Sequence, residues 1–287
     1  MRKTGKFAST MIEGLERRRL FAVSMTLEPT GVLNVVGDDG PNTVTITADA
    51  RETRVSVLGV SKVKVFKGTP QIEVSMKGGD DIVTARHVGR AALDAAAKHV
   101  LTRIFGGDGN DRISATTDGG ILIVVGDGGA DIVDFDNGNS PIPNGHMMLG
   151  GPGNDKLTNY GKVYLQSQGG DGDDEIFGED GNDEIYGGPG NDILRGGAGN
   201  DTLSGEDGND SLFGGVGNDV LCITNGVDEI FGEDGDDFVY QIPVTVSNWS
   251  LIDGGNGFDT FYYHPDTDPS TLGHTFSSIE ISLPNPY

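Results

Sequence analysis

Carboxylates are the residues of this sequence whose type and spacing could do chemistry. Between residues 169 and 240 an Asp returns at every ninth position: Asp174, Asp183, Asp192, Asp201, Asp210, Asp219, Asp228 and Asp237. A Gly stands two residues before each, from Gly172 to Gly235, and an aliphatic residue two after, from Ile176 to Val239. The segment is eight nine-residue units without a slip, among them GGDGDDEIF at 169, GGPGNDILR at 187 and GGVGNDVLC at 214. Asp carboxylates and the carbonyls of Gly-rich turns make an all-oxygen donor set, with no His and one Cys, Cys222, in the segment. Such a set suits calcium rather than zinc or copper, and magnesium less well, because it demands a small octahedral shell and keeps its waters. No segment has the Gly and Glu spacing of an EF-hand loop.

The periodicity also says what must hold these carboxylates. Gly at fixed positions supplies turn conformations and lets turns stack without a Cβ in the way. One aliphatic residue between two others fits a strand of about three residues with its middle side chain turned inward. A single such strand buries almost nothing, so the units must be stabilised by stacking one on another. Stacked in register, equivalent carboxylates lie roughly 4.8 Å apart, or twice that if a turn is skipped, and repel unless cations sit between them.

Charge follows the same division. Of the formal −24, residues 106–287 hold 33 acids and 4 bases, and residues 169–240 hold 20 acids and one base, Arg195. Repulsion of phosphate argues against a nucleic-acid partner. No stretch approaches the roughly 18 apolar residues of a membrane span. A single cysteine excludes an internal disulfide and any multi-cysteine zinc site.

The units resemble the repeats-in-toxin (RTX) calcium-binding nonapeptide, GGxGxDxUx with U aliphatic. The segment is similar to the β-roll of bacterial RTX exoproteins. That resemblance implies an all-β, right-handed parallel β-roll in which two units make one turn. An ion then sits between units n and n+2, held by their two Asp and by turn carbonyls. Carried onto this sequence, it pairs Asp174 with Asp192, Asp183 with Asp201, Asp192 with Asp210, Asp201 with Asp219, Asp210 with Asp228, and Asp219 with Asp237. The unit GGPGNDKLT at 150 adds Asp155 with Asp174, so about six or seven calcium ions are implied. Glu179, Glu206 and Glu233 replace the second Gly, a variation the family accepts. The unit at 223 begins Ile223-Thr224-Asn225 and lacks both leading glycines, which implies a weakened site. Related units at 106, 126 and 254, and a worn GGDDIV at 78, read as further rungs at irregular spacing. They make Asp111, Asp131 and Asp259 additional candidate ligands.

Along the chain we expect a basic, export-like or disordered segment over 1–30 and a β-rich solenoid portion over 31–105. Degenerate rungs follow over 106–168, the eight-unit roll over 169–240, and a C-terminal excursion with capping strand over 241–287. Alternation such as Val44-Thr45-Ile46-Thr47 supports strands in the first half. Residues 90–105 read as a loop or short helix, then a strand. Residues 241–253 read as an excursion holding Trp249, and Phe276, Ile279, Ile281 and Leu283 as one closing strand. Leu15-Glu16-Arg17-Arg18-Arg19-Leu20-Phe21 resembles the L-E-P-R-x-L-L motif that opens many exported planctomycete proteins, with Arg17 for Pro and Phe21 for the last Leu.

Catalytic motifs are missing. None of the five His opens an HExxH, and neither a G-x-S-x-G elbow nor a phosphate-cradling G-x-x-x-x-G-K occurs. Carboxylate pairs repeat identically from unit to unit, as structural ligands do and catalytic pairs do not. Cys222 reads as a surface or flank thiol. The expectation is a secreted, extracellular, non-enzymatic calcium-binding protein. Alternatives are a polysaccharide lyase or epimerase, or an adhesin that carries an RTX module and meets a cell-envelope or matrix partner. A row of aromatic and basic residues beside a carboxylate would favour the sugar-acting alternative, and the linear sequence shows no such cluster.

Overall fold

The computed structural model describes residues 23–49, 52–58, 64–67, 71–88, 101–117, 120–138, 146–241, 250–262, 275–278 and 280–282. Among them 26 strands form two 13-stranded sheets, and the chain passes from one to the other at almost every turn. Sheet A contains, in spatial order from Val32–Val36 through Gln71–Ser75, Leu101–Asp108 and Ile121–Gly128 to Glu280–Ser282, parallel strands that from Gln71–Ser75 on lie two positions apart in the chain. Sheet B does the same from Thr43–Asp49 and Ile82–Val88 to Thr275–Ser277. Alternation of parallel strands between two facing sheets is a β-solenoid, the all-β architecture expected. Register is regular: Glu175 pairs with Ile193, Ile193 with Ser211 and Ser211 with Glu229.

The core runs between the sheets as a stack of single layers. In the repeat segment each strand contributes one aliphatic side chain, Ile176, Ile185, Leu194, Leu203, Leu212, Leu221, Ile230 or Val239, each at most 1 % exposed. Strands there are mostly six residues rather than three, as in Glu184–Pro189. The first residues of the next unit also pair with the neighbouring coil, Gly188 with Glu206 and Pro189 with Asp207, so the ladder runs on into the turn.

At the N-terminal end the solenoid is capped by antiparallel strands. Ser24–Leu27 pairs antiparallel with Val32–Val36, and Glu52–Val57 and Lys64–Lys67 extend sheet B antiparallel beyond Thr43–Asp49. Residues 31–87 therefore continue the solenoid only in part, because a two-residue link after Asp49 can make a hairpin but no parallel crossover. Residues 101–105 are strand, as expected, whereas 89–100 lie outside the described residues, as do the motif at 15–21, Trp249, Ile279 and Leu283. Leu251–Asp253 is already back in sheet B, so the expected excursion is shorter than 241–253. The single closing strand is two, one per sheet, with Phe276 opposite Ile252 and Ile281 opposite Phe261.

Candidate metal columns at the solenoid edges

Two edges join the sheets. Edge I carries the turns from sheet A to sheet B, and edge II those from B to A. The repeat Asp is the last residue of each turn, so alternate units deliver theirs to opposite edges. Edge I stacks Asp81, Asp111, Asp131, Asp155, Asp174, Asp192, Asp210 and Asp228. Edge II stacks Asp183, Asp201, Asp219, Asp237 and Asp259. All twelve carboxylates expected from sequence thus fall into two columns, and every expected pair occupies adjacent coils.

Within a column one geometry repeats. Oδ1 of each Asp accepts the main-chain N–H of its counterpart in the preceding coil: Asp174 donates to Asp192 at 2.8 Å, Asp183 to Asp201 at 2.7 Å and Asp219 to Asp237 at 2.8 Å. Oδ2 of every Asp in both columns is buried with no hydrogen-bond partner. A carboxylate oxygen buried without a partner carries a large desolvation cost unless something neutralises it.

The first Gly of each unit shapes the space around that oxygen. A methyl group built on Gly169 would collide with Oδ2 of Asp174 and lie 2.7 Å from the carbonyl oxygen of Gly187 in the next coil. The same cradle of Asp Oδ2 and next-coil carbonyl recurs at Gly106, Gly126, Gly150 and Gly187 on edge I, and at Gly178, Gly196, Gly214 and Gly232 on edge II. Nine gaps between Asp residues of adjacent coils therefore have it. Each offers oxygen donors only, which fits calcium.

The exceptions lie at column ends. Met76 occupies the first turn position before Asp81 and is buried; its Sδ would lie 2.8 Å from a Cβ on Gly37. Asn42 replaces Asp in that first turn and donates its N–H to Asp81. At the other end Ile223, fully buried, takes the first position before Asp228, and Ser250 accepts from Asp228 in place of an Asp. At unit 223, where the sequence leads one to expect a weaker site, a butyl side chain stands where other units leave space.

Burial raises the pKa values of ten Asp residues in the two columns. It pushes Asp183 up to about 8, Asp111, Asp155, Asp192 and Asp210 to about 7, and Asp131, Asp174, Asp201, Asp219 and Asp237 to about 6. Hydrogen bonds from main-chain N–H groups oppose the shift without reversing it.

A second ladder was not foreseen. The residue before each Asp, often Asn, accepts the N–H of its counterpart in the following coil, so it runs opposite to the Asp ladder. Asn191 accepts from Asn209 at 3.0 Å and Asn200 from Asn218 at 2.9 Å. The recurring Asn-Asp dipeptide was its signal. Asp81 was also missed as a column member, although the GGDDIV rung that contains it was noted.

Two further sequence readings change. Cys222 is buried, 2 % exposed, rather than a surface thiol, and burial pushes its thiol up, away from a nucleophilic thiolate. A row of aromatic and basic side chains does form, on the outer face of sheet B. Lys156 lies 4.6 Å over Phe177, Arg195 lies 3.9 Å over Phe213, and Phe213 stacks on Phe231 at 5.0 Å. These residues are 18 or more apart in sequence, so only the coil brings them together. Among the described residues no three His, Cys, Asp or Glu side chains converge as a metal set, so each cradle would rest on paired carboxylates and carbonyls.

Compared with known families, residues 103–120, 167–194, 186–221 and 224–240 match the RTX calcium-binding nonapeptide repeat (4 copies). No curated protein matches the chain.

Proposed function

We propose, for a chain that carries RTX calcium-binding nonapeptide repeats on a parallel β-solenoid, a secreted, non-catalytic protein whose roll folds around calcium. The observation that carries this reading is the row of unpartnered, buried Oδ2 atoms, nine of them beside a glycine-lined space and the carbonyl of the next Asp-bearing coil. Asp111, Asp131, Asp155, Asp174, Asp192 and Asp210 would hold ions on edge I, and Asp183, Asp201, Asp219, Asp237 and Asp259 on edge II. Calcium would supply the positive charge that cancels repulsion along each column and so contribute folding free energy. Asp81, beside Met76, and Asp228, beside Ile223, would hold ions poorly. The nine gaps exceed the six or seven implied by the uninterrupted repeats, because the irregular rungs share the turn geometry.

Calorimetric titration of the chelator-treated chain with calcium tests this. About nine ions should bind at roughly 0.1–1 mM, as in extracellular modules, with a parallel gain of β-sheet circular dichroism. A β-sheet spectrum unchanged by excess chelator sinks the reading.

The sheet B row supports a second reading, in which a glycan lies along Phe177, Arg195 and Phe213. Within the row Phe213 already stacks on Phe231, and Lys156 is paired with Glu175. Binding of neutral and acidic oligosaccharides to the calcium-loaded chain, lost in Arg195→Ala, would establish it.

A further inference from the structure

The outer faces of the two sheets carry side chains in columns, one nearer edge I and one nearer edge II. On sheet B the edge I column includes Ile82, Ile132, Ile193 and Leu251 in continuous register, each 37–45 % exposed. On sheet A the edge I column includes Phe105, Val125, Leu149, Tyr186, Tyr240 and Tyr262. Single exposed apolar side chains are ordinary on a surface, but the heights of these agree. Because the chain crosses between the sheets in every coil, a strand of sheet B lies level with the gap between the sheet A strands before and after it. Ile132 therefore falls between Val125 and Leu149, Ile193 next to Tyr186, Leu251 between Tyr240 and Tyr262, and Ile82 just before Phe105. Polar members agree too: Gln168 falls between Lys156 and Glu175, and Ser211 between Ser204 and Cys222.

The edge II columns add charge to this match. Glu184 of sheet A falls between the levels of Phe177 and Arg195 of sheet B, and Val220 between Phe213 and Phe231. Arg195 is the one base of residues 169–240 and makes no salt bridge among the described residues. Glu184 makes none either; its carboxylate accepts from the hydroxyls of Tyr164 and Tyr186. One face thus presents an unmatched cation and the other an unmatched anion at the same height. Area is sufficient: 13 strands about 4.8 Å apart, with about five residues each at about 3.3 Å, give a face of roughly 900 Å². A stable interface buries about 800 Å² per partner. The acidic turns stand at the edges, outside such a contact.

We infer that the outer face of sheet A in one copy of the chain packs on the outer face of sheet B in the next, with the solenoid axes parallel and the coils level. A copy displaced sideways without rotation keeps edge I beside edge I, so like columns meet at the heights given above. Facing sheets stand about 10 Å apart with interdigitated side chains. Ile132 of one copy then enters between Val125 and Leu149 of its neighbour, and Arg195 meets Glu184. The two faces are different surfaces, so the contact is heterologous: every copy keeps one free face of each kind, and the array grows without closing. A glycan lying along Phe177 and Phe213 competes for the same face.

Sedimentation velocity of the full chain in calcium tests this, with circular dichroism of each sample verifying the fold before masses are compared. The parent should pass through dimer to larger species as concentration rises. Arg195→Glu and Glu184→Arg should each raise the concentration needed by at least tenfold. An equimolar mixture of the two variants should associate like the parent, because each then offers the charge that the other lacks on both faces. If Glu184→Arg alters the circular dichroism, Ile193→Lys replaces it, expected to weaken association at least tenfold without rescue by mixing. A dimer that grows no further overturns the inference, as does association indifferent to these substitutions. A chain that stays single at every concentration overturns it too, in favour of a glycan if it takes up oligosaccharide through Arg195.

Discussion

The N-terminal coils and the repeat coils share one backbone plan but hold it together differently. Up to Phe135 most solenoid strands bury two apolar side chains, as in Leu33 with Val35, Ile72 with Val74, Leu122 with Val124, and Val133 with Phe135. In the strands from Glu175–Asp180 to Ser211–Val216, and again in Glu229–Asp234, one aliphatic residue is buried and the neighbouring inward position is Gly. Edge II differs in the same sense. Its early turns open on buried Thr117, Asn137 and Asn159 and end in Gly120, His146 and Leu165, and its Asp column begins only at Asp183. Each buried aliphatic residue is worth about 1.5–3 kcal/mol, so the first region doubles its apolar gain per strand and carries buried Asp on edge I alone, while the second carries columns of buried anions on both edges. The first region should therefore depend on ions less than the second.

Chelation should separate the two most strongly. With calcium removed, amide exchange in 166–241 should approach unfolded rates, while strands Gln71–Ser75 to Ile132–Asp136 keep their protection. Hydrogen-exchange mass spectrometry of the full chain reads this directly. Uniform loss, or uniform retention, would erase the distinction.

A smaller effect follows from pH in the chelated protein. Burial puts Asp111, Asp131, Asp155, Asp174, Asp183, Asp192, Asp201, Asp210, Asp219 and Asp237 at about 6 to 8 in the fold, against about 3.9 in an unfolded chain. Raised values mean that the fold holds protons more tightly, so their stabilising contribution is complete below about pH 4 and is lost as pH rises through 6 to 8. The metal-free roll should regain β-structure on acidification from pH 8 to 4.5, and calcium affinity should fall over the same range because protons compete for Oδ2. Circular dichroism melts at several pH values check it. A roll that weakens on acidification without metal contradicts the assigned burial.

Much of this was legible in one sequence. Period nine with invariant Gly, Asp and aliphatic positions specified the coil, the strand and the candidate ligands. The irregular rungs were harder. Asp111, Asp131, Asp155 and Asp174 are separated by 20, 24 and 19 residues, yet they form one column. Their edge I turns keep constant length while extra residues collect at edge II, which spacing alone does not show. Nor does sequence reveal that the first Gly is space for a carboxylate until Met76 and Ile223 show what fills it. The row from Phe177 to Phe231 is invisible along the chain because its neighbours are coil neighbours.

A core truncation should sharpen the contrast from the other side. Phe135 is fully buried in the coils with the larger apolar core. Phe135→Ala should cost about 3–5 kcal/mol, and urea unfolding of the N-terminal coils should show it equally with chelator and with calcium. Dependence on calcium would mean that the two regions unfold as one unit.

The smallest effect belongs to one methyl group in the roll. A Cβ on residue 187 collides with Oδ2 of Asp192 and lies 2.8 Å from the carbonyl of Gly205, so Gly187→Ala fills one cradle and leaves the others untouched. Overpacking of this kind costs about 1–3 kcal/mol. Calorimetry should therefore count one calcium fewer than in the parent chain, with a lower melting temperature in calcium and little change in chelator, where the roll is already unfolded. The effect stays local because each coil touches only its neighbours. Unchanged stoichiometry would mean that the space beside Asp192 is packing clearance for the stacked turns and that the ions lie elsewhere on the edge.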